Sequence, residues 1–137
     1  MRAVTLCVVA CSIVVPTEAS SAKQPAATSV CELARNAAKL TGKRLQVEGY
    51  ILSLSSHGFV LVGKRRDCAS QLALRIDNVN GTDAWRKAFA TSLGPKRAML
   101  VGTVGWEKAR ATGGRNPSLA VEQVVYLSQR EADADDF

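Results

Sequence analysis

The sequence has little of what most catalytic sites are built from. It contains one histidine, His57, and four cysteines, none of which has the CxxC spacing of a redox or zinc motif. No glycine-rich phosphate loop follows a strand and opens a helix. The acidic residues Glu48, Asp67, Asp77 and Glu107 are scattered along the chain, so they indicate no carboxylate pair for hydrolysis. The sequence therefore predicts a protein that is not an enzyme, with no cofactor and no bound metal.

The lone histidine lies in the segment Ser55-Ser56-His57-Gly58, whose composition is typical of a turn. A nucleophilic role would pair His57 with Ser55 or Ser56, but residues this close in a turn rarely reach triad geometry. A secreted hydrolase or nuclease is therefore only the weak alternative. Aromatic residues are also few, at 5% of a chain that is 47% hydrophobic. We expect a folded core built mainly from leucine, valine, isoleucine and alanine.

The N-terminus has the three parts of a secretory signal peptide. Arg2 supplies a positive charge, an apolar run covers residues 3–15, and small residues follow Pro16. The run is too short for a bilayer, which needs about 20 apolar residues. We predict a signal peptide over residues 1–22, cleaved after Ala19 or Ala22. The protein would then be secreted, and periplasmic if the source is Gram-negative.

A second interpretation of the same segment is a lipoprotein leader. Val8-Val9-Ala10-Cys11 resembles a bacterial lipobox, in which Cys11 would be acylated and would anchor the protein to a membrane. Against this, the leader before Cys11 is very short, and the apolar run continues past it. The membrane-anchored form stays the alternative.

Two cysteines, Cys31 and Cys68, lie beyond the leader. An even pair in an oxidising compartment predicts a disulfide. Closing the long loop between them is worth about 4 kcal/mol in the chain-entropy model.

The rest of the chain is predicted to form a series of helices and strands. Residues 23–29 form a flexible lead-in, and helical spacing over Val30–Leu40 has Ser29 as its candidate N-cap. A strand follows with Gly49 inside it, where the apolar phase changes, as at a β-bulge or sharp bend. Two more strands cover Phe59–Val62 and the alternating positions Leu72, Leu74 and Ile76.

A second helix is predicted within Asn80–Pro95, where Trp85, Ala88, Phe89 and Leu93 share one face. Two strands close the chain, and the first of them again carries an interior glycine. The strands are Ala98–Trp106, which contains Gly102, and Ser118–Leu127. The basic, glycine-rich loop Glu107–Pro117 connects them, and an acidic, disordered tail covers residues 129–137.

The element order β-β-β-α-β-β predicts a mainly β fold, a five-stranded OB-fold Greek-key barrel over residues 30–128 with a short N-terminal helix. The sequence also resembles a group of small exported bacterial OB-fold proteins, largely uncharacterised. The resemblance rests on Gly42–Gly49, on His57-Gly58, on Cys68 and on Cys31. It implies a fold and a compartment, and it brings no catalytic residues.

Binding is the function that the composition favours. The net charge is +6, and OB-folds bind ligands on strands two and three, beside the first loop and the loop between strands four and five. We predict a non-catalytic binding module that docks a protein partner or an anionic ligand. Its candidate residues are Trp106, Lys108, Arg110 and Arg115, with a second basic cluster at Lys64, Arg65 and Arg66.

Single-stranded nucleic acid or an oligosaccharide is the alternative ligand. Nucleic acid is disfavoured because such binders need exposed aromatic platforms, and we expect Phe59, Trp85 and Phe89 to be buried. Tyr50, Trp106 and Tyr126 are the aromatic candidates that remain.

Overall fold

A computed structural model describes residues 26–54, 58–64, 66–109 and 112–136. Six strands and two α-helices alternate along these residues, and a short 3-10 helix, Ala134–Asp136, follows the last strand. The elements are β1 (Thr28–Ser29), α1 (Val30–Leu40), β2 (Arg44–Leu54), β3 (Gly58–Val62), β4 (Gln71–Arg75), α2 (Asp83–Phe89), β5 (Lys96–Lys108) and β6 (Arg115–Leu127).

Five strands close into a barrel in the order β2-β3-β4-β6-β5, and pairing of β5 with β2 completes the ring. Every neighbouring pair is antiparallel except β4 with β6, which is parallel. This is a Greek-key barrel with a helix between its third and fourth strands, so the predicted OB-fold is confirmed. The two-residue β1 was not predicted. It pairs in parallel with the edge of β2 opposite β5, at Val47 and Glu48.

Helix α1 forms where its capping residues predict it. The Glu32 backbone N–H donates to Ser29 Oγ at 3.2 Å, which satisfies one of the donors left open at a helix start. The helix buries Val30, Cys31, Leu33 and Ala37, so its apolar face packs on the barrel. The predicted bounds of this helix are confirmed.

The predicted disulfide between Cys31 and Cys68 is present, with their Cα atoms 5.8 Å apart and a sequence separation of 37. It joins the first turn of α1 to the segment after β3. Phe59, near the start of β3, packs against Trp85 and Phe89 of helix α2. Helix α2 therefore lies at the other end of β3. The two helices therefore lie at opposite ends of β3.

Helix α2 is capped by Thr82, whose Oγ1 accepts from the Trp85 N–H at 3.4 Å. Trp85 and Phe89 pack with Phe59 at ring-centroid distances of 5.0–5.1 Å, a spacing typical of edge-to-face and tilted aromatic pairs. The prediction that Leu93 continues this helical face is wrong. The helix ends at Phe89, a turn follows in which Ser92 Oγ accepts from the Gly94 N–H, and Leu93 is 62% exposed.

Gly49 allows a close approach of two strands and carries no bulge. Strand β2 keeps an unbroken register with β5 from Arg44 to Ile51, so of the two alternatives predicted at Gly49, a β-bulge or a sharp bend, the bulge is wrong. Pairing with β3 begins one residue after Gly49, and a Cβ at Gly49 would lie 2.7 Å from the Val62 carbonyl oxygen. Real Cβ atoms do not come this close to an oxygen, so the position requires glycine.

The irregular positions are in β6 instead. The register of β5 with β6 shifts twice, leaving Val125 and Glu122 without a direct partner on β5. The Glu122 carboxylate accepts from Thr103 Oγ1 and from Arg44 Nε, each at 2.6 Å, and these two hydrogen bonds lower the pKa of Glu122. The bulge thereby links β2, β5 and β6 on the outside of the barrel.

The C-terminal segment differs from the disordered tail that its acidic composition predicts. Its backbone follows the start of β5: the Ser128 N–H donates to the Arg97 carbonyl at 2.9 Å and the Ala132 N–H donates to the Pro95 carbonyl at 2.8 Å. Lys96, only 1% exposed, donates from Nζ to the Gln129 carbonyl at 3.2 Å. The tail contributes only backbone groups to these three hydrogen bonds, so its side-chain composition does not reveal them.

Replacing Gly102 with alanine tests the close packing of β5 on β6. An added Cβ would overlap the Ala120 carbonyl oxygen, whereas at Gly105 on the same strand its nearest neighbour is Ser118 Oγ at 3.4 Å. We expect Gly102→Ala to lower the free energy of unfolding by about 2 kcal/mol, and the control Gly105→Ala to change it by less than about 1 kcal/mol. Urea denaturation measures both, and equal effects would contradict the assignment.

Removing the disulfide should destabilise the barrel without altering its topology. We expect the double variant Cys31→Ala/Cys68→Ala to lose about 2–4 kcal/mol of unfolding free energy, because the loop is no longer closed in the unfolded chain. The measurement is urea denaturation followed by circular dichroism, with wild type plus reductant as the matched control. An unchanged midpoint in the variant would show that the bond contributes nothing.

Candidate functional site

The predicted basic loop Glu107–Pro117 is mostly a β-hairpin. Strands β5 and β6 stay paired through Trp106 with Pro117 and Glu107 with Asn116, as far as Lys108 with Arg115. Only residues 109–114 connect them, closed by a 2.8 Å hydrogen bond from the Ala109 N–H to the Gly114 carbonyl. The loop is shorter than predicted because strand pairing extends past the apolar positions from which the strand ends were inferred.

Lys108 and Arg115 are directly opposite each other at the end of this hairpin, and both are exposed. Side chains of paired residues lie on the same face of a sheet, so the two positive charges are neighbours. Neither is in an ion pair with a carboxylate of the described residues. Like charges directly opposite destabilise a strand pair, so the structure brings these two predicted binding residues together at a local cost.

Trp106 shares the face of Lys108, since the two are separated by one residue on a strand. The Trp106 side chain is half-buried, and its Nε1–H donates to Thr41 Oγ1 at 2.9 Å. This hydrogen bond fixes the hairpin to the residue that follows α1. The indole therefore has a structural partner, and its role in ligand binding stays a prediction.

The exposed aromatic residue Tyr126 is far from Trp106. Tyr126 pairs with Met99 of β5, and Met99 is seven positions before Trp106 on that strand. This spacing corresponds to roughly 23 Å along a strand. An odd spacing also places them on opposite faces of the sheet. Tyr126, although 52% exposed, cannot form one stacking surface with Trp106 and Lys108.

The second predicted cluster belongs to another region. Lys64 and Arg66 are exposed in the turn after β3, where the Asp67 N–H donates to the Lys64 carbonyl at 2.9 Å. Lys64 lines a cleft together with Arg97, and Arg97 is near the start of β5, whereas Lys108 ends it. Arg65 and Arg110, the other predicted basic residues, lie outside the described residues.

This cleft was not predicted from the sequence. It has a volume of about 420 Å³ and adjoins a smaller cavity of about 160 Å³, and Tyr50, Arg97 and Asp136 line both. Its walls come from β1, the start of α1, the middle of β2, the β3–β4 turn, β5 and the C-terminal segment. No sequence motif could indicate it, because the residues that form it are far apart along the chain.

An ion pair and a buried tyrosine define the middle of the cleft. Arg97 Nε donates to Glu48 Oε1 at 3.0 Å, and Nη2 donates to the same oxygen. Tyr50 pairs with Arg97 across β2 and β5 and is 7% exposed. Burial raises the pKa of Tyr50, and the negative charge of Asp136 raises it further.

Three further findings concern catalysis, metals and membranes. His57, Ser55 and Ser56 lie outside the described residues, so the nucleophilic alternative stays untested. Where the structure describes the chain, no group of three or more histidine, cysteine, aspartate or glutamate residues could hold a metal ion. Among the same residues, no helix has the length and apolar character needed to cross a membrane.

Comparison of the chain with protein-family models, with curated proteins and with solved structures found no match. The barrel, the basic hairpin and the cleft beside Arg97 are therefore the observations on which a functional proposal must rest. Of these, the hairpin contains residues predicted from the sequence, and the cleft was found only in the structure.

The ionisation of Tyr50 reports whether the C-terminal segment covers the cleft. The chain has two tyrosines, so Tyr126→Phe leaves Tyr50 as the only one, and tyrosinate absorbance then follows it alone. We expect a midpoint above the ordinary 10.0, lowered but not fully restored by Asp136→Asn, because burial is the larger cause. As the pH rises past about 10, unfolded Tyr50 ionises before native Tyr50, so stability falls. A midpoint at or below 10.0 would contradict this geometry.

Proposed function

We propose that the protein is an exported, non-catalytic OB-fold module that binds a polyanionic ligand through the basic hairpin formed by Trp106–Lys108 and Arg115–Pro117. The observation that carries the proposal is the pairing of Lys108 with Arg115 at the hairpin end, without a described carboxylate partner. A multiply charged anion would relieve the repulsion between the two side chains. The hairpin also corresponds to the loop between strands four and five that OB-folds use for binding.

Export is supported by the leader pattern in residues 1–22 and by the Cys31–Cys68 disulfide. A disulfide is compatible with an oxidising compartment, such as the extracellular space or a bacterial periplasm. The resemblance to small exported bacterial OB-fold proteins agrees with this location. Lipidation of Cys11 is the variant of the proposal in which the module is held at a membrane surface.

A sulfated or carboxylated polymer, which has no bases, is favoured over single-stranded nucleic acid because of where the aromatic residues lie. Binders of single strands combine positive charge with bases stacked on aromatic side chains. Here Trp106 donates its indole N–H to Thr41, and Tyr126 is on the opposite face of the sheet, seven residues of β5 away. The hairpin thus offers charge without a shared stacking surface, which suits a sulfated or carboxylated polymer better than an oligonucleotide.

The absence of catalysis in this proposal rests on the scattered acidic residues and on the turn composition around His57. In the cleft, the Glu48 carboxylate accepts two hydrogen bonds from Arg97. Both hydrogen bonds go to the same carboxylate oxygen, so Glu48 has a structural partner in the barrel.

The test measures binding of dextran sulfate at low and moderate ionic strength. We expect the double variant Lys108→Gln/Arg115→Gln to bind at least about tenfold more weakly and to show a smaller dependence on salt, because fewer counterions are released. The matched control is Arg75→Gln/Lys87→Gln, which removes two exposed charges elsewhere. Equal losses in both double variants would mean that net charge alone drives binding, which would overturn the proposal.

Oligothymidylate provides the second arm of the same experiment. If the oligonucleotide binds the wild type more tightly than dextran sulfate does, and Trp106→Leu abolishes that preference, base stacking is present and the nucleic-acid alternative replaces the polyanion proposal. If it binds no more tightly, the polyanion proposal stands.

A further inference from the structure

The cleft beside Arg97 is bordered by the protein's own C-terminal arm, residues 133–136, through Asp136. Asp136 lines both the larger cavity and the smaller one that adjoins it, together with Tyr50 and Arg97. The arm is acidic, carrying Asp133, Asp135 and Asp136 within four residues. A carboxylate-bearing peptide is therefore already seated at the edge of a cleft that contains basic side chains.

The basic side chains around the cleft outnumber the acidic ones once the arm is set aside. Lys64 and Arg97 line it, and Arg66 is close enough to act electrostatically on Tyr50. Against these are Glu48 and Asp67. Because Glu48 is paired with Arg97, the remaining balance is two lysine or arginine side chains against one aspartate. Removal of the arm leaves a site with excess positive charge.

The arm is held differently from the segment that precedes it. Residues 128–132 are fixed to β5 by hydrogen bonds from Ser128, Ala132 and Lys96. Beyond Ala132, the hydrogen bonds found in the described residues are local: the Asp136 N–H donates to the Asp133 carbonyl at 2.9 Å, and the Asp133 N–H donates to Asp136 Oδ2 at 3.2 Å. The arm can therefore leave the cleft without breaking the anchor behind it.

We propose that this cleft is a binding site for an acidic peptide segment of a partner protein, and that the arm 133–136 occupies it as an internal competitor. With the arm in place, the cleft has a volume of about 420 Å³, within the range of sites that hold small ligands or a few residues of a peptide. Lys64 at one wall recognises a carboxylate of the incoming peptide by charge, and Arg66 in the same turn adds positive charge nearby. The Tyr50 ring, which lines both cavities, provides an apolar surface beside Lys64.

The proposal predicts a measurable competition. If the arm occupies the cleft for about nine-tenths of the time, it weakens the apparent affinity for an external peptide about tenfold. The probe is a fluorescein-labelled peptide with the sequence of residues 132–137, ADADDF, and its counterpart with asparagine in place of each aspartate. Fluorescence polarisation is measured with the full chain and with the variant Asp133→Asn/Asp135→Asn/Asp136→Asn, whose arm is neutral but has its natural length.

We expect the neutral-arm variant to bind the acidic probe about tenfold more tightly than the wild type, and neither protein to bind the asparagine probe. Adding Lys64→Gln to the neutral-arm variant should remove most of this affinity. The matched control, Lys87→Gln on α2, removes an exposed charge at the other end of β3 and should leave it unchanged. Lys64 is exposed, so its replacement does not endanger the fold.

Two results would overturn the proposal. One is equal affinity of the wild type and the neutral-arm variant for the acidic probe, which would show that the arm does not compete. The other is loss of probe binding in a neutral-arm chain that also carries Lys108→Gln/Arg115→Gln, since the peptide would then bind at the hairpin. The variants of the dextran sulfate experiment leave every residue that lines the cleft unchanged, so failure of either proposal leaves the other testable.

Discussion

Closure of the barrel depends on β2 changing its partner along its length. The strand pairs with β5 from Arg44 to Ile51 and with β3 from Tyr50 onward, so at Tyr50 and Ile51 it is paired with both of its neighbours in the barrel. At this crossing the Val62 carbonyl and the Val30 side chain come so close to Gly49 that a Cβ would meet both below 3 Å. The barrel seam and the packing of α1 thus both depend on one position without a side chain.

Local chemistry allowed much of the fold to be predicted from the sequence. Ser29 was expected to cap α1, and its Oγ accepts the hydrogen bond that this position requires. The aromatic spacing on α2 indicated a buried face, and Trp85 is buried. The errors came where tertiary contacts decide. The change of phase at Gly49 predicts a β-bulge or a sharp bend there, but the register shifts occur in β6 at Val125 and Glu122, where no glycine marks them.

The two candidate sites differ in how far the sequence could reveal them. Lys108 and Arg115 are close along the chain, so a hairpin brings them together whatever the rest of the fold does. The cleft instead requires Tyr50, Lys64, Arg97 and Asp136 to meet, and only barrel closure and the docked C-terminal segment achieve that. The acidic tail suggests solvation by composition, and its backbone hydrogen bonds to β5 carry no signal in residue type.

Strand β5 connects the two sites. Arg97 near its start faces the cleft, and Lys108 at its end belongs to the hairpin, eleven positions further along. Between them, β5 is paired on both sides through Thr103, so neither end can shift in register without breaking the barrel. A ligand at one end therefore does not displace a ligand at the other by moving the strand. Coupling between the sites has to come through charge: a polyanion on the hairpin reduces the overall positive potential that attracts an acidic peptide to the cleft. Added salt would weaken that coupling.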